Sequence, residues 1–180
     1  MLKLVTDHLS KQFLKISQVH YYVSPNALLA IASSNAQYLK LAERFVLIGS
    51  KSGANPELIY LTTLALLLYN PWTHSASGIP LIAKELSRKM ASLSRRVIFA
   101  PEYNGSIPPI FTSAFAWLSM QIEDFRTLFN GRPIAMASFS GGGGIELLIS
   151  LRFQLRHLGS QVVGRQLISN GSKPARDDYI

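Results

Sequence analysis

Three features of the sequence predict an α/β fold, a doubly wound parallel sheet with helices on both faces. Short apolar runs alternate with stretches whose apolar residues recur every three or four positions, the patterns of buried strands and amphipathic helices. Turn-forming or glycine-rich loops separate the two kinds of segment, so strands and helices take turns along the chain. Composition is the third: of 180 residues, 48% are hydrophobic and 16% charged, enough apolar material for a core sealed on two sides.

Ala27 to Ala32 (ALLAIA) is a continuous apolar run and predicts the first strand. Tyr38, Leu41, Ala42, Phe45, Val46 and Gly49 then fall at helical spacing, and Gly53 with Asn55-Pro56 breaks the pattern. Glu57 to Leu61 predicts a second strand, and the Pro-, Ser-, Thr- and Gly-rich stretch Tyr69 to Pro80 a loop. Ile82, Leu86, Met90 and Leu93 mark the next helix, and Val97 to Ala100 a third strand ending at Pro101. Pro108 suits a first helical turn, where a missing N–H costs nothing, and Phe111, Ala114, Phe115 and Leu118 continue that helix. Arg132 to Ser138 predicts the fourth strand. Gly141 to Gly144 lead into a helix carrying Leu148, Leu151, Leu155 and Leu158, which Gly159 ends. A fifth strand is expected within Gln161 to Ser169. Five such strands fit the flavodoxin-like order 2-1-3-4-5 with right-handed crossovers. Residues 1–24 are an extension ahead of the domain formed by 25–180, and Leu2, Val5, Leu9, Phe13 and Ile16 predict a helix within it.

With no cysteine in the chain, disulfides, thiolate metal sites and cysteine nucleophiles are excluded. The longest apolar stretch, Leu58 to Tyr69, is too short for a membrane span and is interrupted by Thr62 and Thr63. The first twenty residues lack the continuous apolar stretch of a secretory signal, so a cytoplasmic protein is expected. The formal charge of +8 favours anionic partners in general. Its densest group, Lys84, Arg88, Lys89, Arg95 and Arg96, reads as a solvated helix face. It has no interleaved aromatics, so no nucleic-acid partner is expected. His8, His20, His74 and His157 lack metal-ligand spacing, and Glu123-Asp124 reads as a helix start. Trp117, among Phe111, Phe115 and Leu118, is expected in the core or at a subunit contact.

In a doubly wound sheet, ligands sit beyond the carboxyl ends of the strands. Three loops are therefore candidates. After strand one, Ser33-Ser34-Asn35 can either cap the next helix or hold an anion at its start. After strand three, Pro101-Glu102-Tyr103-Asn104-Gly105-Ser106-Ile107 combines turn formers with an aromatic, as a tight turn or the edge of a planar heterocycle's site would. After strand four, Ser138-Phe139-Ser140 and the glycines Gly141, Gly142 and Gly143 allow close backbone approach to a ligand.

The stretch PEYNGSIPPIFTSAFAWLS, Pro101 to Ser119, resembles the signature of the NADPH-dependent FMN reductase family, flavodoxin-like flavoenzymes that include chromate, quinone and azo reductases. Phe129-Asn130-Gly131-Arg132-Pro133, the SGGGG of the third loop and Gln154 to Gly159 extend the resemblance over Ala27 to Pro174. It implies bound FMN with NADPH or NADH as electron donor, and hydride transfer from nicotinamide C4 to flavin N5. The electrons would pass on to a small acceptor: a quinone, azo compound, free flavin or metal oxyanion. It implies that Pro101, Glu102, Tyr103, Asn104, Gly105, Ser106 and Ile107 line the isoalloxazine. Ser138, Ser140, Gly141, Gly142 and Gly143 would flank the ring's other side, and Ser33, Ser34 and Asn35 would hold the phosphate. No side chain is implied as a catalytic acid or base. The alternative is a flavodoxin-like interaction module without FMN affinity. Homodimers or homotetramers are implied, with the outer face of the 108–120 helix as one contact. The first loop departs from the family pattern, with Ala36 and Tyr38 at its glycine and asparagine places, and the chain is expected to lack the family's closing helix.

Overall fold

The structure, a computed structural model, describes residues 27–32, 36–121, 125–141 and 143–169. Ser33, Ser34, Asn35, Gly142, the Glu123-Asp124 pair, His8, His20, and the extension 1–24 with its expected helix lie outside the described residues.

Strands and helices alternate in the expected order. The strands are β1 (Ala27–Ala32), β2 (Asn55–Tyr60), β3 (Arg95–Ala100), β4 (Pro133–Phe139), β5 (Gln161–Val162) and β6 (Leu167–Ser169). The helices are α1 (Ala36–Lys51), α2 (Pro71–Ser77), α3 (Leu81–Ser92), α4 (Pro109–Ser119) and α5 (Ile145–His157). All strand pairs are parallel, and the order is β2-β1-β3-β4-β5, with β6 also beside β4. β3 is buried along its whole length. Its side chains alternate between two cores, as a period of two requires. Val97 and Phe99 pack with Leu41, Ala42 and Phe45 of α1. Ile98 and Ala100 face α3, α4 and α5 through Leu86, Met90, Phe111, Phe115, Leu147 and Leu151. Among the described residues, α1 therefore packs on one face and α3, α4 and α5 on the other.

Three expectations are corrected. The fifth strand is two pieces: β5 pairs with Pro133 and Ile134, and β6 with Ala137 to Phe139. Between them the carbonyls of Val163 and Gly164 turn out of the ladder toward Arg152 of α5, whose Nη2 reaches them at 2.8 and 3.4 Å. Gly164, a weak strand residue, marks the break. The expected loop 69–80 contains α2. Asn70 caps it by accepting the Trp72 N–H at 2.8 Å, Pro71 opens it, and Gly78 closes it at φ 70°. The turn-forming residues there punctuate a helix.

The basic group is the third correction. Lys84, Arg88 and Lys89 are exposed on α3, but Arg95 and Arg96 belong to β3 and are buried. Arg96 lies wholly inside, donating from Nη2 to the Met90 carbonyl and sitting 6.0 Å from the Phe129 ring. Burial, with Arg132 nearby, pulls its pKa down to about 9.

Trp117 resolves to the core. It is fully buried, its Nε1–H donates to the Leu67 carbonyl at 2.8 Å, and Tyr69 and His74 pack edge-on against it at 5.0 and 5.8 Å. A subunit contact through Trp117 is thereby excluded. One turn away on α4, Ser113 Oγ accepts the Tyr69 N–H at 2.7 Å, and Gln121 donates to Ala83 at 2.9 Å. These bonds tie the 67–83 region to α4.

Candidate functional site

From β1 the chain passes to β2 on one side and then back across to β3 on the other. The helix that follows β1 and the helix that follows β3 pack on opposite faces of the sheet, and in doubly wound sheets ligands bind at the carboxyl edge where the connections diverge in this way.

The loop after β3 is a tight turn. Tyr103 N–H donates to the Ser106 carbonyl at 3.1 Å, and Ser106 N–H returns the bond to Tyr103 at 2.9 Å. Asn104 and Gly105 at the tip have φ of 50° and 68°, the positive pair that a type I′ turn demands and that Asn-Gly supplies. The bonds that close the turn use the Tyr103 and Ser106 amides, so the N–H groups of Asn104 and Gly105 are left at the rim. Pro101 is buried and Ile107 half-buried, anchoring the loop, while Tyr103, Asn104, Gly105 and Ser106 are exposed.

Glu102 faces away from this tip. Its Oε2 accepts the backbone N–H of Leu147, in the first turn of α5, at 3.3 Å. The residue at that helix's N-cap, Gly144, offers no side chain to do so. A carboxylate at a helix N-terminus satisfies an orphan donor and complements the macrodipole. Glu102 thus ties the loop after β3 to the first turn of α5, the helix that follows the glycine loop.

The glycines of that second loop serve different needs. Gly144 has φ 72°, and a Cβ built on it would lie 2.0 Å from Ser138 Oγ, so the protein itself requires glycine there. Gly143 has φ 99° and lies beside Ile168 of β6. Gly141 is exposed, has no positive φ, and a Cβ on it would meet nothing within 4 Å. Among the described residues, neither backbone conformation nor a neighbour explains glycine at 141. The loop is held from below: Ser140 N–H donates to Ser169 of β6 at 3.0 Å, and Gly143 N–H to Ser140 at 3.0 Å. Ser138 is fully buried, and its Oγ has no hydrogen-bond partner.

Tyr60 closes β2 at the same edge and donates its hydroxyl to Glu43 of α1 at 3.0 Å. Burial first, then the Glu43 carboxylate, raise its pKa above the ordinary phenol value. His74 is half-buried in the last turn of α2, and His157 is exposed in the last turn of α5. Among the described residues no group of histidines and carboxylates could hold a metal ion. No described helix is long and apolar enough to cross a membrane.

Among the described residues, the loops 101–107 and 138–143 leave the paired strands β3 and β4, and Glu102 joins the first of them to the start of α5. Sequence reasoning missed two parts of this edge. One is the Glu102–Leu147 bond, which no spacing rule signals because its partners are 45 positions apart. The other is β6, which carries Ile168 and Ser169 to the base of the glycine loop; Gly164 was its signal.

The NADPH-dependent FMN reductase family matches residues 26–173. Similar solved structures include FerB, a flavoenzyme NAD(P)H:(acceptor) oxidoreductase from Paracoccus denitrificans, at 19% identity and a TM-score of 0.61, over 77% of this chain and 75% of that one. An azoreductase from Bacillus anthracis is similar at 13% identity and a TM-score of 0.57, over 82% and 88%. The apo form of the NADH:FMN oxidoreductase EMOB is similar at 15% identity and a TM-score of 0.56, over 81% and 76%. These likenesses are likenesses of fold. No curated protein matches the chain. The family match spans most of the sequence and covers all three carboxyl-edge loops, and the chain belongs to the NADPH-dependent FMN reductase family.

Proposed function

We propose that the protein binds FMN at the crevice between the loops after β1, β3 and β4, and catalyses electron transfer from NAD(P)H to a small acceptor. The family match over residues 26–173 carries this reading, and Gly141 supports it: it is an exposed glycine in the loop after β4 on which a Cβ would meet no described atom within 4 Å. The free tip amides of Asn104 and Gly105 suit the polar edge of a planar heterocycle. When bound, FMN would accept a hydride at N5 from nicotinamide C4 and pass its two electrons to the acceptor, so the chemistry belongs to the cofactor. The chain's part is to orient the ring between Tyr103 to Gly105 and Ser140 to Gly143, and to hold the phosphate.

The helix starts at the carboxyl edge support a place for the phosphate. α3 follows Pro80, α4 opens with Pro108-Pro109, α2 is capped by Asn70, and α5 by Glu102. α1 follows β1, the central strand from which the chain turns to β2 and then back to β3, and has no acidic residue in its first turn. Ser33, Ser34 and Asn35 precede it, and we assign them the phosphate, since backbone N–H groups and hydroxyls at a helix start attract such an anion.

The acceptor belongs to the class of quinones, azo compounds, free flavins or metal oxyanions. A homo-oligomer is part of the proposal. Ile145, Ile149 and Phe153 recur at four-residue steps on α5 and are 52%, 55% and 71% exposed, a stripe of the kind that marks an interface. Light scattering of wild type and Phe153→Glu tests it: the variant should move toward monomer, and a monomeric wild type at micromolar concentration would remove it.

The activity is tested by mixing purified protein with FMN and then with NADPH or NADH under anaerobic conditions. Loss of the protein-bound flavin absorbance supports the proposal. A chain that takes up no FMN would favour the interaction-module alternative.

A further inference from the structure

Resting on the FMN reading above, we infer that Glu102 is a positioning residue that sets the charge felt by the cofactor, keeping the bound flavin less ready to accept negative charge than its site would otherwise make it. The loops 101–108 and 138–144 contain one ionised side chain, Glu102. It is half-buried, so water screens it only in part. Its carboxylate caps the first turn of α5 through the Leu147 N–H at 3.3 Å. Without that carboxylate, the positive end of the 13-residue helix that follows the glycine loop would have no side-chain cap, because its N-cap residue is glycine. Glu102 therefore does two things in one place: it fastens the loop after β3 to the start of α5, and it offsets that helix's positive end.

A reduced flavin and a flavin carrying sulfite at N5 both gain negative charge on the ring system. A fixed carboxylate nearby opposes both. Glu146 lies in the same helical turn but is exposed, so it is screened. The arrangement predicts a dependence on charge at 102 and little dependence on charge at 146.

The test uses full-length protein loaded with FMN, titrated with sulfite while the flavin absorbance is followed, with the reduction potential measured by dye equilibration. Glu102→Gln is isosteric, and its amide oxygen can still accept the Leu147 bond. It should bind sulfite about tenfold more tightly than wild type and shift the potential upward. Glu102→Asp keeps the charge but shortens the reach. It should stay within about threefold of wild type for sulfite while losing thermal stability. Glu146→Gln should match wild type in both. Sulfite affinity unchanged in Glu102→Gln, or raised equally in Glu102→Asp or Glu146→Gln, overturns the inference while leaving the FMN reading intact. An unfolded Glu102→Gln chain would also overturn it, assigning the carboxylate to structure alone. Failure of wild type to take up FMN overturns both readings at once.

Discussion

Gly144→Ala should destabilise the protein strongly, and Ser138→Gly should recover much of the loss. The added Cβ would sit 2.0 Å from Ser138 Oγ and 2.7 Å from its Cβ, with Ser140 Cβ next at 3.6 Å. Ser138 is fully buried at the carboxyl end of β4 and has little room to turn aside. Overpacking of this kind costs about 1–3 kcal/mol. The positive φ of 72° adds roughly 1–2 kcal/mol for any residue with a Cβ. A loss of about 2–5 kcal/mol is a large share of the roughly 5–15 kcal/mol that holds a domain together. For a chain of this size it lowers Tm by roughly 5–15 °C. Ser138→Gly alone should be nearly neutral, because it removes a buried hydroxyl with no partner and adds a strand glycine, effects of about 1 kcal/mol in opposite directions. In the double variant only the φ penalty should persist. Urea denaturation of the four chains gives the coupling energy, expected at about 1–3 kcal/mol. A Gly144→Ala chain as stable as wild type, or zero coupling, would refute the claim that the protein's own packing requires this glycine.

Gly141→Val should leave Tm within about 1–2 °C of wild type, since a Cβ there meets no described atom within 4 Å, while weakening FMN binding at least about tenfold; flavin fluorescence quenching checks the second part, and unchanged affinity would count against the site. Arg96→Met should be neutral or stabilising at pH 7, by up to about 3 kcal/mol, because it removes a buried cation. Its folded pKa, pulled down by burial to about 9, lies well below that of a free guanidinium, so above that pH the unfolded chain holds a proton that the folded chain has lost. The stability cost of Arg96 is therefore full below pH 9 and relieved as pH rises above it. Urea unfolding at pH 7 and pH 10 should show the variant's advantage shrinking at the higher pH. We further propose that residues 1–24 dock on the sheet face where α1 is the one helix among the described elements; deleting residues 1–20 should then lower Tm, and an unchanged midpoint would remove the idea.

The fold was legible because parallel strands buried on both faces read as bare apolar runs, and β1, β3 and β4 stand within two residues of the expected bounds. The 69–80 stretch misled because Asn70, Pro71 and Gly78 stop and start helices with the same chemistry that makes loops. In the sequence the charge of Arg95 and Arg96 masks the apolar run they begin; both are buried in β3, and Arg96 is held there by the Met90 carbonyl and the Phe129 ring. At the site, the Asn-Gly turn at 104–105 follows from local residue preferences. The division of labour among the glycines does not, because it depends on Ser138 and Ile168, which other parts of the chain bring beneath the loop. Glu102 could be named as a loop residue, but its direction, toward Leu147, is a tertiary fact.

The central claim is that this edge of the sheet holds FMN, with its phosphate at the start of α1. Parallel fluorescence titrations with FMN and riboflavin test it most directly. Charge-assisted hydrogen bonds to the phosphate are worth roughly 1.5–3 kcal/mol, so FMN should bind about ten- to a hundredfold more tightly than riboflavin. Substituting Ser33, Ser34 and Asn35 with alanine should bring the two affinities together. Equal affinities in the wild-type chain, or no binding of either, would contradict the account.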